Sequence, residues 1–461
     1  MNATSSVVNF IVDTKLDDIP GDVRHLGKRA ILDTLGVSLA GCNDESIQIL
    51  VAALEGRLGN AQASLLGIGR HTDSLSAALI NGTMAHALDF DDVNDSCMGH
   101  PSAPVLPAVI ALGEERNSSG GDLLEAFLIG FEVQCKLGSA LGKSHYGKGW
   151  HATATLGTMG AAAASAKIMG LDKKAVETTL GIAASLASGI RINFGTMTKP
   201  LHVGEAARNG VLAALLASKG FTAAANIFDH PADFGQVFSE DGMDKAYLVE
   251  SMGAPWDIQS PGITVKKYPS CNKTHRTLDA MLDLVSVHHP VPEEVSKVVI
   301  TIPPGEDVPL IYSKATTGLE GKFSMHFCMA SAIVDGEIGF NTFEMSQVAR
   351  KEVQHLSDKV TVVTDHTQTP VVIDSGGHVD VSVIMQNGQT FDRSIEKATG
   401  TPTYPLSDHD LQEKFRVCAV NVLSDTEIET AISGIYGLED LTSINGLLDV
   451  LRVGTKVGLG A

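Results

Sequence analysis

The stretch HATATLGTMGAAAASAKIMG, residues 151–170, holds seven alanines, three glycines and, with histidine neutral, a single charge. Alanine is the best helix former, and no proline interrupts the run. A helix whose side chains are small on all sides admits neighbours at about 8–10 Å between axes. Residues 157–169 therefore read as a helix at the centre of a bundle. DKKAVETTLGIAASLASG (172–189) and HVGEAARNGVLAALLASKG (202–220) have the same make-up, and 210–220 is read as a second central helix. Further out, GDLLEAFLIGFEVQCKLGSALGK (121–143) is a long apolar helix with Asp122 at its start. Residues 75–90 keep a helical period that Gly82 weakens, and 22–41 place Ile31, Leu35 and Leu39 on one face before Gly41. The first 260 residues read as all-α.

Beyond SPGITVKKYPSCNKTH the character changes. VSKVVITIPPG (295–305) and DKVTVVTD (358–365) are β-branched strands. Val379, Val381, Val383 and Met385 alternate ahead of Asn387-Gly388, a hairpin signal. Residues 324–336 and 343–356 read as helices between them, and the tail after 400 returns to helix, ending in LTSINGLLDVLRV. The expected fold is mainly α. A large all-α domain (1–264, with 401–461 packing back on it) carries a smaller α+β lid domain (265–400).

The chain has 461 residues, enough for about two domains, and a formal net charge of −20. No basic stripe is visible, which argues against nucleic acid. An anionic ligand needs a local cationic pocket in such a field. The charged fraction of 19% lies below the usual ~25%, which fits extensive buried surface, a subunit interface included. The six cysteines form no C-x-x-C, so no zinc or iron–sulfur site is indicated. No apolar run reaches the ~18 residues of a membrane span, and the N-terminal residues lack a basic, then apolar, leader. A cytoplasmic protein with reduced thiols is expected.

The chemistry concentrates in HALDFDDVNDSCMGHPSAP, residues 86–104, where Asp89, Asp91, Asp92 and Asp95 stand beside His86 and His100. On a helix His86, Asp89 and Asp92 would share a face. A metal site lacks the repeated histidine spacing of known zinc motifs. A solvated loop with helix caps is the bland alternative. Three more clusters favour acid/base chemistry: Tyr146, Trp150 and His151 before one helix, Lys199 and His202 before another, and Lys266, Lys267, Cys271 and His275 at the domain junction. Helix N-termini favour anions, and domain junctions favour clefts. The four clusters are expected to share one cleft between the domains. Bases, cations and a phenol suit proton removal next to a carboxylate.

With these residues in view, the sequence resembles the MmgE/PrpD family, whose members include 2-methylcitrate dehydratase, cis-aconitate decarboxylase and iminodisuccinate epimerase. HALDFDD…GHPSAPVLPA, GWHATATLGT, TKPLHVGEAARNG, KKYPSCNKTH and GKFSMHF…AIVDG carry the resemblance across nearly the whole chain. It implies a helical domain with an α+β lid, a homodimer, and no metal or organic cofactor. It also implies that Asp89, His100, His151 and Lys199 are active-site residues, with Lys266 before the Tyr-Pro step. Tyr146 resembles a proton-transfer tyrosine of the epimerase. Cys271 and Phe327 depart from the decarboxylases, which carry a histidine and a tyrosine there.

The resulting expectation is a cofactor-independent lyase of dehydratase type, acting on a small di- or tricarboxylic acid. Asp89, His100, His151, Tyr146 and Lys199 are the catalytic candidates; Lys266, Lys267, Cys271 and His275 are the substrate-binding ones. Lys199, Lys266 and His100 would hold carboxylates, and Asp89 or His151 would take the α-proton. Epimerisation of an amino- or imino-dicarboxylate ranks second and decarboxylation third, ahead of a ligand-binding relative without activity.

Overall fold

The computed structural model describes residues 2–371 and 376–452. Their contacts divide into two units: 2–192, 198–263 and 407–452 in the first, 193–197 and the described part of 264–406 in the second.

Side-chain caps start many helices of the first unit. Asn2, Asp44 and Asp73 accept backbone N–H groups at the heads of α1 (Ala3–Asp13), α3 (Glu45–Leu54) and α4 (Ser74–Ala87); α2 (Gly21–Gly41) lies between the first two. Such a cap contributes about 1 kcal/mol. Between α3 and α4 lies a hairpin, β1 (Ala63–Leu65) antiparallel to β2 (Arg70–Thr72). The all-α expectation for this region is thus corrected. Three-residue strands are too short to show an alternation, and Gly67 and Gly69, both at positive φ, make the turn.

The chain continues through α5 (Ser102–Glu115), α6 (Gly120–Leu141), α7 (Lys143–Gly147), α8 (Ala152–Ile168), α9 (Lys173–Leu186) and α10 (Thr198–Ser218). Every residue of α8 from Ala152 to Ala166 is buried, and the helix packs against α5, α6, α9 and α10. Its small side chains make it the bundle's centre. By contrast α10 buries only one side, and Ser218–Gly220 are exposed, which corrects the reading of 210–220 as central. It also begins four residues before the expected 202, so Lys199 and Pro200 sit in its first turn. A proline there lacks only an N–H that would have no helical partner.

Helices α4 and α10 cross at two glycines. A Cβ on Gly204 would stand 2.2 Å from the Leu79 carbonyl oxygen and 2.2 Å from Thr83 Oγ1; one on Gly82 would stand 2.9 Å from Gly204 Cα. The same Gly82 that weakens the helical reading is what lets the two helices touch. Short α11 (Phe234–Phe238) and α12 (Lys245–Ser251) follow. The tail supplies α18 (Asp408–Ala419), packed on α2, and then α19 (Asp425–Tyr436) and α20 (Asn445–Arg452). Val453, the end of the expected last helix, lies outside the described residues.

The second unit opens with α13 (His275–His288) and builds one mixed sheet. Strand order is β4 (Val360–Thr364), β3 (Val295–Ile302), β5 (Val379–Met385), β6 (Thr390–Ile395). β3 and β4 run parallel, with Val298 opposite Val360; the other pairs are antiparallel. Val379, Val381, Val383 and Met385 are buried as their alternation requires, and Asn387-Gly388 turns the β5–β6 hairpin. Between β3 and β4 come α14 (Gly318–Gly321), α15 (Met325–Asp335), α16 (Met345–Val348) and α17 (Lys351–Ser357). The expected single helix over 343–356 is broken at Arg350, whose backbone is extended and whose guanidinium grips Asp335 at 2.6 and 2.8 Å.

Candidate active site

Helix α4 ends at Ala87, one residue past His86. Asp89 then takes a left-handed conformation, φ 52°, which aspartate tolerates better than most residues. Asp89 and Asp92 therefore do not share the helical face of His86. Asp91 instead meets His86 Nδ1, at 2.8 and 3.0 Å. Asp92 accepts the Ser102 hydroxyl at 2.5 Å and its N–H at 3.3 Å, at the head of α5. Asn94 and Gly99 pair across the loop and return the chain to His100, whose Nδ1 lies 3.1 Å from Asp91 Oδ2. The His100 N–H donates to Thr153 Oγ1 in α8 (3.1 Å).

Lys199 arrives from α10. Its Nζ is 2.7 Å from His86 Nε2 and 3.0 Å from Asp89 Oδ1. His100 Nε2 stands 3.8 Å from the same Asp89 oxygen. His151, the N-cap position of α8, lies with its ring 5.8 Å from that of His86, and its Nδ1 is 3.2 Å from Nδ1 of His202. His86, Asp89, Asp91, His151 and Lys199 are buried, while His100 keeps 13% of its side chain exposed.

Burial pushes the His86 imidazole down to about 3; Asp91 opposes this, and Lys199 and His100 add to it. His86 is thus neutral near pH 7 and carries its proton on Nδ1, facing Asp91. Its bare Nε2 accepts from the Lys199 ammonium. Burial alone would raise Asp91, but His100 and His86 together hold it well below the usual carboxylate range. One ionised carboxylate therefore orients two imidazoles. Burial, reinforced by Lys199, keeps His151 neutral as well. Asp92, buried near Asp33 and Asp91, is raised to about 8 despite its bonds to Ser102.

Three helices, α5, α8 and α10, begin at this cluster. Each N-terminus contributes up to about half a positive charge, which with the ammonium offsets the acids Asp89 and Asp91 and can favour an anion at this point. His86, Asp89, Asp91 and His100 also offer ligand atoms within 4.8 Å of one another. A divalent ion there would confront the Lys199 ammonium, already bonded to two of the four, and both Nδ1 atoms are turned to Asp91. The residues as arranged fit a built-in cation rather than a metal.

The structure thus gathers Asp89, His100, His151 and Lys199. Tyr146 lies on α7, half-buried, with its ring 4.0 Å from the Arg191 guanidinium. The remaining candidates belong to the second unit. Lys266 is buried, and Lys267 is bonded to Asp279 at 3.3 Å. Cys271 packs with Phe194 and Phe323. The His275 ring stacks edge-on to Tyr268, and Phe327 is part of that unit's apolar core. Absent from the candidate set were His86, Asp91 and His202. Their signal was present, since each stands within three residues of a chosen one, but which acid faces which histidine depends on where α4 stops.

Buried imidazoles and acids around one ammonium, on a helical scaffold, are groups that can move protons and hold a negative charge. Residues 5–245 match the MmgE/PrpD N-terminal domain and residues 268–435 the MmgE/PrpD C-terminal domain. The chain belongs to the MmgE/PrpD family. It is 30% identical over 462 residues to the cis-aconitate decarboxylase of Homo sapiens, covering 97% of this chain and 94% of that protein. The Mus musculus cis-aconitate decarboxylase is 29% identical over 98% of this chain and 93% of its own. A cis-aconitate decarboxylase of Aspergillus terreus is 26% identical, over 98% and 96%.

Proposed function

We propose that the protein is a cofactor-independent lyase acting on a di- or tricarboxylic acid at the carbon next to a carboxylate. The observation that carries this reading is the buried Lys199 ammonium, shared by Asp89 and His86 where three helices begin. A substrate carboxylate can bind that ammonium and the helix N-termini. The same groups stabilise charge that grows on the carboxylate during reaction. His100, oriented by Asp91, and His151 are placed to move the proton.

Decarboxylation of an unsaturated tricarboxylate of the cis-aconitate type stands first among the reactions of this class. The names of relatives that cover nearly the whole chain support it over the dehydration that the sequence reading ranked first. Carbon dioxide leaves the methylene, the double bond shifts by one position, and the carbon next to a second carboxylate takes a proton. Epimerisation is the second reading, supported by Tyr146, which resembles a proton-transfer tyrosine of the epimerase, while Cys271 and Phe327 stand where the decarboxylases carry a histidine and a tyrosine.

Proton NMR in D₂O with cis-aconitate, citrate, methylcitrate and iminodisuccinate tests the proposal. Decarboxylation gives two terminal vinylic signals and one deuterium in the product. Dehydration gives unsaturation without loss of carbon, and epimerisation gives deuterium exchange alone. If no acid of the panel loses carbon dioxide or water, the lyase assignment is wrong.

A further inference from the structure

Protonation of carbon consumes one proton from water at every turnover, yet His151 is only 2% exposed. Burial and the Lys199 ammonium both oppose a charged imidazole there. A neutral ring can deliver a proton only if its other nitrogen is resupplied at the same time. His202 stands where that resupply is needed. It is half-buried on α10, one turn past Lys199, and its Nδ1 is 3.2 Å from Nδ1 of His151. Two bare nitrogens at that distance repel, and two N–H groups collide, so the pair shares one proton. Gly189 holds this geometry. Its carbonyl accepts the backbone N–H of His151 at 3.0 Å, and at φ 115° its missing side chain makes room for His202, whose Cγ would lie 3.3 Å from a Cβ.

We propose that His202 is a relay residue that carries protons between solvent and His151. The inference rests on the lyase reading for its direction. His151 starts with its proton on Nε2, and His202 with its proton on Nδ1. As His151 Nε2–H protonates the substrate carbon, the shared proton moves from His202 Nδ1 to His151 Nδ1, and water supplies His202 Nε2. After product release, water returns a proton to His151 Nε2, the shared proton moves back, and His202 Nε2 releases its proton. Both rings stay neutral at the end of each stage, which a buried site beside an ammonium requires.

Two measurements test it. Long-range ¹H–¹⁵N NMR of the imidazoles in the ligand-free protein at pH 7 needs no substrate. One Nδ1 of the His151–His202 pair is expected protonated and the other bare. Two bare Nδ1 atoms, or a charged His151, would overturn the proposal whether or not the lyase reading stands. With the acid that turns over, His202→Ala is expected to lower kcat at least about tenfold with KM within about twofold, and added imidazole to restore much of the rate. His202→Gln, which hydrogen-bonds but does not relay, is expected to stay slow. Wild-type kcat in His202→Gln, or no response of folded His202→Ala to imidazole, overturns the relay. A panel with no active acid defeats the lyase reading alone, and the NMR result still decides the shared proton.

Discussion

Lys199 brings an ammonium into the cluster, and its contacts with His86 and Asp89 hold it in place. Its ammonium donates to a neutral imidazole, His86, and to the Asp89 carboxyl, both buried. Lys199→Ala removes the charge proposed to meet a substrate carboxylate and takes the ammonium away from Asp89. Steady-state kinetics on the folded variant are expected to show kcat/KM reduced more than about tenfold, the equivalent of ~1.4 kcal/mol. A value within about twofold of wild type would take Lys199 out of the site. Lys199→Arg is not expected to rescue, because a planar fork cannot reach Asp89 and His86 as a point charge does. Asp92 makes a separate prediction. Its folded pKa of about 8 lies above an unfolded value near ~3.9, so the native state is increasingly disfavoured as pH rises from about 4 to 8. Asp92→Asn removes that dependence. The variant should gain on wild type by roughly 1.4 kcal/mol per pH unit across the window and no further above it. Urea unfolding at pH 5, 6 and 7 measures this; curves that stay parallel would show that Asp92 ionises freely in the fold.

At the scale of elements, the site depends on how closely α4 and α10 approach. His86 ends one helix and Lys199 begins the other, and their 2.7 Å contact is possible because Gly82 meets Gly204. Gly204→Ala puts a methyl 2.2 Å from the Leu79 carbonyl. Overpacking of this kind costs about 1–3 kcal/mol. Denaturant midpoints should fall accordingly, and kcat should fall further than the unfolded fraction explains, because the helices part at the site. Full activity in a stable Gly204→Ala protein would mean that the crossing does not set the geometry. The same scale shows what short-range pattern misses. The β1–β2 hairpin is too brief to alternate, and α16 and α17 part at Arg350, whose guanidinium meets Asp335 far back in the chain.

For the whole molecule, a net charge of −20 opposes an anionic substrate, so the Lys199 ammonium and the helix starts must act at close range. If Lys199 supplies the cation, prolonged chelation should leave turnover of the active acid unchanged. Loss of activity restored by one divalent metal would instead make His86, Asp89, Asp91 and His100 ligands. A homodimer belongs to the same reading. The charged fraction is low, and the first unit exposes Ile190, Ile192, Phe221 and Val237. Sedimentation equilibrium is expected to give twice the 48.4 kDa chain mass; a monomer at micromolar concentration would refute it.

The sequence by itself determined the separate helices α6, α8, α9 and α10 and the β5–β6 hairpin, and it singled out Asp89, His100, His151 and Lys199, which the structure brings close together. These are local facts: alanine favours helix, Asn-Gly favours a tight turn, and rare polar residues stand out against small apolar ones. Only the tertiary structure decided that Asp91, rather than Asp92, orients the histidines, because one left-handed residue after α4 turns the chain. It alone paired His151 with His202 and Lys199 with His86, residues 51 and 113 positions apart. Such pairings follow from the close crossing of small-residue helices, which no neighbouring stretch of sequence encodes.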